Sequence, residues 1–199
     1  MPKSKVYPSQ LKKARSLKIA ISAKQQKILS KRPYIPGQHG KKFRRKLSDY
    51  GLQLAEKQKA KFIYGLREKP FRRFFKIASK DPKATGELLL TLLERRLDNV
   101  VYRASFAKSR LHGRQMVSHA KFYLNDKKVN IPSIIIDKGD VLTIRKQADK
   151  DKLELQDNEI PNWLKIDKNK KSITVVKLPN RENAPFDLNE QLIVEFYNR

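Results

Sequence analysis

The sequence predicts an α+β protein: an extended basic arm, then a helical domain, then a domain of short helices packed on a small antiparallel sheet. Three observations predict it. Residues 1–46 carry Pro2, Pro8, Pro33 and Pro36, many lysines and few large apolar groups, too little to bury a core. From about residue 47 to 120 the apolar residues recur at helical spacing. Beyond 120 they come in short runs bounded by Asn-Asp and Gly-Asp turns, which is strand punctuation.

The elements follow in order. Within the arm, Leu11 to Leu29 has the composition of a short helix. Leu47-Ser48-Asp49 opens the next one, because Ser48 or Asp49 caps and an acid in the first turn suits the helix dipole. Leu52, Ala55, Lys59, Phe62 and Ile63 continue it, and Gly65 stops it. Glu68 to Ser79 places Phe71, Phe74, Phe75 and Ala78 on one side and Arg72, Arg73 and Lys76 on the other, with Pro70 in the first turn. Asp81-Pro82 breaks the chain. Thr85-Gly86-Glu87 opens a leucine-rich helix, and Asp98 to Tyr102 continues it or starts another.

The next helix belongs to the stretch FAKSRLHGRQMVSHAKFYLND, residues 106–126, with Ser109 as its cap. Gly113, Met116, Val117 and Ala120 form one stripe, and Arg110, Arg114 and Lys121 a second, roughly 90° round the helix. Strands are expected at 121–124, 127–130, 133–136 and 141–145, turned by Asn125-Asp126 and Lys138-Gly139-Asp140. Residues 146–160 read as a loop, and Trp163–Asp167 and Ile173–Lys177 as two more strands. The tail, Asn189 to Tyr197, is apolar at Leu192, Ile193, Val194 and Phe196 and must dock on something. Periodicity does not separate helix from strand there.

Charge narrows the function. The net charge is +26, and it is not spread evenly. Residues 1–80 hold 24 Lys or Arg against 3 acids, whereas residues 146–199 hold 10 of each. A solubility coat would be uniform, so the gradient implies a polyanionic partner held mainly by the first 80 residues. Cysteine is absent, which excludes disulfides, thiolate metal sites and cysteine nucleophiles. His39, His112 and His119 have no metal-ligand spacing, and carboxylates are sparse where the charge is highest. No catalytic residue, cofactor, metal or small-molecule substrate is therefore expected. No run reaches the roughly 18 apolar residues of a membrane span.

Nucleic-acid chemistry fits the remainder. Lys41, Lys42, Arg44, Arg45 and Lys46 surround Phe43, so phosphate-neutralising cations stand beside a ring able to stack on a base. Arg32 and the loop Pro36-Gly37-Gln38-His39-Gly40 precede them, and the loop's glycines let a backbone come close to RNA. Tyr50, Lys57, Lys61, Arg72 and Arg73 extend that face. Lys108, Arg110, Arg114 and Lys121 supply a second one on the helix and hairpin. No zinc finger and no strand-borne aromatic pair is present, so shape and backbone recognition of folded RNA is the expected mode. An RNA-modifying enzyme would need a positioned acid that residues 146–199 do not offer. A nonspecific packaging protein would not need a near-neutral folded half.

Three segments, RPYIPGQHGKKFRRKLSDYGLQLAEKQKAKFIYGL, ERRLDNVVYRASFAKSRLHGRQMVSHAKFYLNDKKVNIPSIIIDKGD and the tail LNEQLIVEFYNR, resemble the S4 family of bacterial small-subunit ribosomal proteins. The second segment, within about 94–156, resembles the RNA-binding module that this family shares with some pseudouridine synthases and tyrosyl-tRNA synthetases. The resemblance implies a helical domain over 47–93 completed by 179–199, and an α+β domain over 94–178. It implies a primary binder of the 5′ domain of 16S rRNA, acting early in assembly of the subunit in a bacterial cytoplasm. Ribosomal proteins S5 and S3 would be neighbours, and decoding accuracy would depend on the S5 interface. Arg44, Arg45 and Lys46 match the basic stretch that borders the incoming mRNA, and Lys108, Arg110 and Arg114 match the module's cationic positions. Two departures stand out. Many relatives bind zinc through N-terminal cysteines that this chain lacks, so RNA alone is expected to order the arm. Gly113 and Ala120 replace a usual Ala and a usual Gly. Gly113 costs up to ~1 kcal/mol of helix propensity, and Ala120 takes a left-handed conformation less readily.

Overall fold

Five helices begin where a serine or asparagine side chain closes on the first turn. Ser9, Ser22, Ser48, Ser109 and Asn189 accept from the amides of Lys12, Gln25, Gly51, His112 and Leu192 at 3.2–3.4 Å. The structure, a computed structural model, describes residues 9–41, 46–81, 84–145, 159–167, 169–184 and 188–199. Two compact units emerge, Met1–Leu66 with Leu188–Arg199, and Arg67–Asp187.

The first unit contains α1 (Gln10–Leu17), α2 (Ala23–Lys31), α3 (Asp49–Ile63) and α8 (Glu190–Tyr197). The stretch read as one short helix in an extended arm is two helices, broken where Lys18 turns left-handed at φ 54°. The ambiguous tail is a helix, and α8 lies along α3. Gln53 Nε2 donates to Glu195 Oε2 at 3.0 Å, and the Asn189 amide donates to Glu56 Oε1 at 3.2 Å.

The second unit contains α4 (Glu68–Ala78), α5 (Thr85–Glu94), α6 (Leu97–Arg103) and α7 (Arg110–Ser118). Its strands are β1 (Phe122–Leu124), β2 (Lys127–Val129), β3 (Val141–Ile144), β4 (Leu164–Asp167) and β5 (Ser172–Val175). They form one antiparallel sheet in the order β2-β1-β3-β5-β4. Asn125 and Asp126, both at positive φ, make the two-residue hairpin turn. Leu97, Val101, Phe106, Val117, Phe122, Leu142, Trp163 and Ile173 fill the core between helices and sheet. The chain thus divides at 66/67, whereas the sequence reading divides it near 93/94. The reason is that α4 turns Phe71, Phe74 and Phe75 inward and packs along α5 in the second unit.

The segment expected as a strand at 133–136 is not one. It is a strap over the start of α6. Ile134 and Pro132 carbonyls accept from the Leu97 and Asp98 amides at 2.9 and 3.2 Å, and the Ile136 amide donates to Arg95 O. With no side-chain cap on α6, this strap satisfies its first donors.

Candidate nucleic-acid interface

The helix of the 106–126 stretch forms as its spacing predicts, with Gly113, Met116 and Val117 buried. Two features explain its unusual residues. A Cβ on Gly113 would stand 2.7 Å from the Asp98 carbonyl oxygen, so glycine lets α7 approach α6 closely. At the other end Ala120 sits at φ 52°, its amide donating to Val117 O and the Lys121 amide to Met116 O. That is the reciprocal two-bond helix stop that glycine usually occupies. An alanine occupies it here, and the chain turns directly into β1.

Behind α7 lies a buried polar network. Glu94, 1% exposed, accepts from two guanidinium nitrogens of Arg103 at 2.9 and 3.1 Å, and from the side-chain amide of Asn99 at 2.8 Å. Asn99 Oδ1 in turn accepts from Arg110 Nε at 2.7 Å. Arg103 also donates to Asn183 O at 2.5 Å, which ties in the 3-10 turn Arg181–Asn183. Beside this network Arg96, 2% exposed, grips Asp98 through two bonds of 3.0 and 2.6 Å and lies over the Phe74 ring. Glu94 with Arg103 and Asp98 with Arg96 are thus paired where water is excluded, which is the condition for burying such charges. Sequence reading missed this network. Its only trace is the charged run Glu94-Arg95-Arg96 followed by Asp98-Asn99 inside an otherwise apolar stretch.

The expected cations fall into different places. Arg110 does not belong to the exposed stripe: it is 8% exposed, bonded to Asn99, with its guanidinium 4.5 Å from the Tyr102 ring. The correction has a simple cause. Helical spacing gives its angle on α7, and α6 covers that flank. Arg114 is half-exposed, 3.9 Å from Asp98, and faces solvent with Lys108, while Lys121 is half-buried. The Lys108 amide donates to His112 Nδ1 at 3.3 Å, fixing the turn that presents the lysine. Arg72 and Arg73 are exposed on α4.

In the first unit Arg32, Gly37, Gln38, His39, Lys41, Lys46 and Tyr50 are exposed, and Lys61 is half-buried. Lys57 is not available to a partner as expected. It is 5% exposed, its ammonium 3.9 Å from the Phe196 ring, because α8 covers it. Lys42, Arg44 and Arg45 lie outside the described residues. Arg15, which sequence reading passed over, donates to the carbonyls of Tyr34 at 3.1 and 2.9 Å and of Ile35 at 3.3 Å, and lies 5.0 Å over the Tyr34 ring. Gly37 stands at φ 115°, and a Cβ on Gly40 would overlap the Ile35 carbonyl. The loop is thus held to α1 by contacts of Arg15 within the chain.

Fold and surface together define the class: a helix–hairpin unit backed by a buried polar network, and a helical unit, each carrying exposed basic side chains. Comparison with known families and proteins specifies it. Residues 5–94 match the ribosomal protein S4/S9 N-terminal domain and residues 95–142 match the S4 domain. The small ribosomal subunit protein uS4 of Chloroflexus aurantiacus is 49% identical over 94% of this chain and 96% of its own. Those of Aquifex aeolicus, at 48% over 91% and 92%, and Chlorobaculum tepidum, at 45% over 94% and 96%, are similar in extent. The chain belongs to the uS4 family of small-ribosomal-subunit proteins, a family of structural components and not of enzymes.

Proposed function

We propose that this structural constituent of the small ribosomal subunit is a primary rRNA binder that docks on the 5′ domain of 16S rRNA and nucleates assembly of the subunit body. The observation that carries the reading is the α7–hairpin unit, whose solvent-facing Lys108 and Arg114 are backed by the buried Glu94–Asn99–Arg110 chain. A reader of RNA shape needs such rigidity, because affinity from charge alone is indifferent to fold. The cations of residues 1–46 add sequence-independent phosphate contacts. Ribosomal proteins S5 and S3 are the proposed neighbours, with translational accuracy depending on the S5 contact. Lys46, with Arg44 and Arg45, would border the incoming mRNA. The compartment is the bacterial cytoplasm.

A titration at several salt concentrations tests this, comparing the 5′ domain of 16S rRNA with an unrelated folded RNA of equal length. A preference for the 5′ domain that persists at physiological salt is expected. Equal binding that collapses together as salt rises would reduce the protein to electrostatic glue and sink the proposal.

A further inference from the structure

We propose that the solvent face of the five-stranded sheet is a second RNA-contacting surface, gripping a sugar–phosphate strand; this rests on the rRNA-binding reading above. Alternation sends Phe122, Leu142, Ile144, Ile173 and Val175 inward to the core, so their neighbours form the opposite face. Register aligns that face across the strands. Lys128 stands opposite Tyr123, Tyr123 opposite Thr143, Thr143 opposite Ser172, and Thr174 opposite Lys165. A shallow depression crosses it, lined by Thr143, Ser172, Thr174, Lys165 and Lys170 together with Val141, Ile144 and Asp167.

Its chemistry selects the occupant. The face is rich in hydroxyls, half-buried and held in a fixed row, with exposed lysines at its margins. Among the described residues Val176, one position past β5, is the one exposed large apolar side chain that adjoins these strands, too little for a protein partner's hydrophobic anchor. The one acid, Asp167, already accepts the Asn169 and Lys170 amides at 3.0 Å each, so it is committed to its own turn. The rest of the depression is hydroxyls and two lysines, with Val141 and Ile144 at one side. Hydroxyls donate to phosphate oxygens and exchange hydrogen bonds with ribose 2′-hydroxyls, while lysines neutralise phosphates. Such a surface recognises backbone without reading sequence.

The test uses the full chain and the 5′ domain of 16S rRNA. Lys165→Ala with Lys170→Ala is compared with Lys138→Ala with Lys177→Ala, which removes equal charge from exposed positions of the same unit outside the depression. The first pair is expected to lower affinity about 5-fold or more and to flatten the salt dependence by about one to two phosphate contacts, with the second pair changing neither appreciably. Equal effects from both pairs, or none from the first, would overturn the proposal. The unmodified protein's preference for the 5′ domain is measured alongside. If that preference holds while the first pair is silent, only the sheet face is rejected, and if it is absent the rRNA reading itself fails.

Discussion

Arg110 and Arg114 are one helical turn apart and serve different ends. Arg110 donates a hydrogen bond from Nε to Asn99 Oδ1 and lays its guanidinium face on Tyr102, so removing it strands a buried acceptor. Arg110→Ala is expected to destabilise the protein by about 2–3 kcal/mol. Arg114 is half-exposed, and its 3.9 Å approach to Asp98 is worth little in water. Arg114→Ala is expected to change stability by less than about 0.5 kcal/mol while weakening RNA binding and reducing the salt slope by about one. Urea unfolding and salt-series titrations on both variants separate the roles, and a stable Arg110→Ala protein would show that the network does not support α7. The two small residues of the same helix give an opposed pair. Ala120 pays for its left-handed backbone, so Ala120→Gly is expected to add roughly 0.5–1 kcal/mol, net of glycine's greater unfolded-state entropy. Gly113→Ala gains helix propensity but drives a methyl into the Asp98 carbonyl, and a net loss of about 1 kcal/mol is expected. Unfolding midpoints that moved the other way would mean that α6 and α7 are loosely packed.

Elements were legible in the sequence wherever a local rule decides them. Ser109 caps the helix it is expected to cap, Ser48 is the cap of the pair Ser48 and Asp49, and Asn125-Asp126 turns the expected hairpin. Each is a contact between residues within a few positions of one another. The misread elements are those whose partners are distant. Ser133-Ile134-Ile135-Ile136 has strand composition, but its carbonyls and amides go to the start of α6, which no local pattern announces. The buried places of Arg110 and Lys57 likewise depend on α6 and α8 arriving over them. The loop at 34–41 is a similar case, since its anchor Arg15 is about twenty residues away. Arg15→Ala is expected to release it. Hydrogen exchange reads this at the Gly40 amide, which donates to Gly37 O at 3.2 Å. Protection there should fall in the variant, while the amides of α3 keep theirs. Unchanged protection at Gly40 would mean that the glycine turn holds itself without the arginine.

At the scale of the whole molecule the charge gradient and the fold divide the chain differently. The basic excess runs through residue 80, across the boundary at 66/67, so both compact units carry part of it. The first unit is closed by a segment from the far end of the chain: α8 covers Lys57, binds Gln53 through Glu195, and buries Ile193, with Leu188 buried just before it. Its stability therefore depends on residues more than a hundred positions from α3. Fully burying an Ile or Leu side chain contributes about 1.5–3 kcal/mol, so deleting residues 188–199 removes on the order of 3 kcal/mol or more from that unit. The second unit keeps its own core and sheet within 67–187. Hydrogen exchange on the truncated chain is expected to show α3 amides losing protection while those of β1, β3 and β5 stay protected. RNA affinity should fall at the same time, because the arm and α3 cations lose their scaffold while Lys108 and Arg114 keep theirs. Uniform loss of protection across both units would instead mean that they unfold as one cooperative body, and that the tail stabilises the helix–hairpin reader as well.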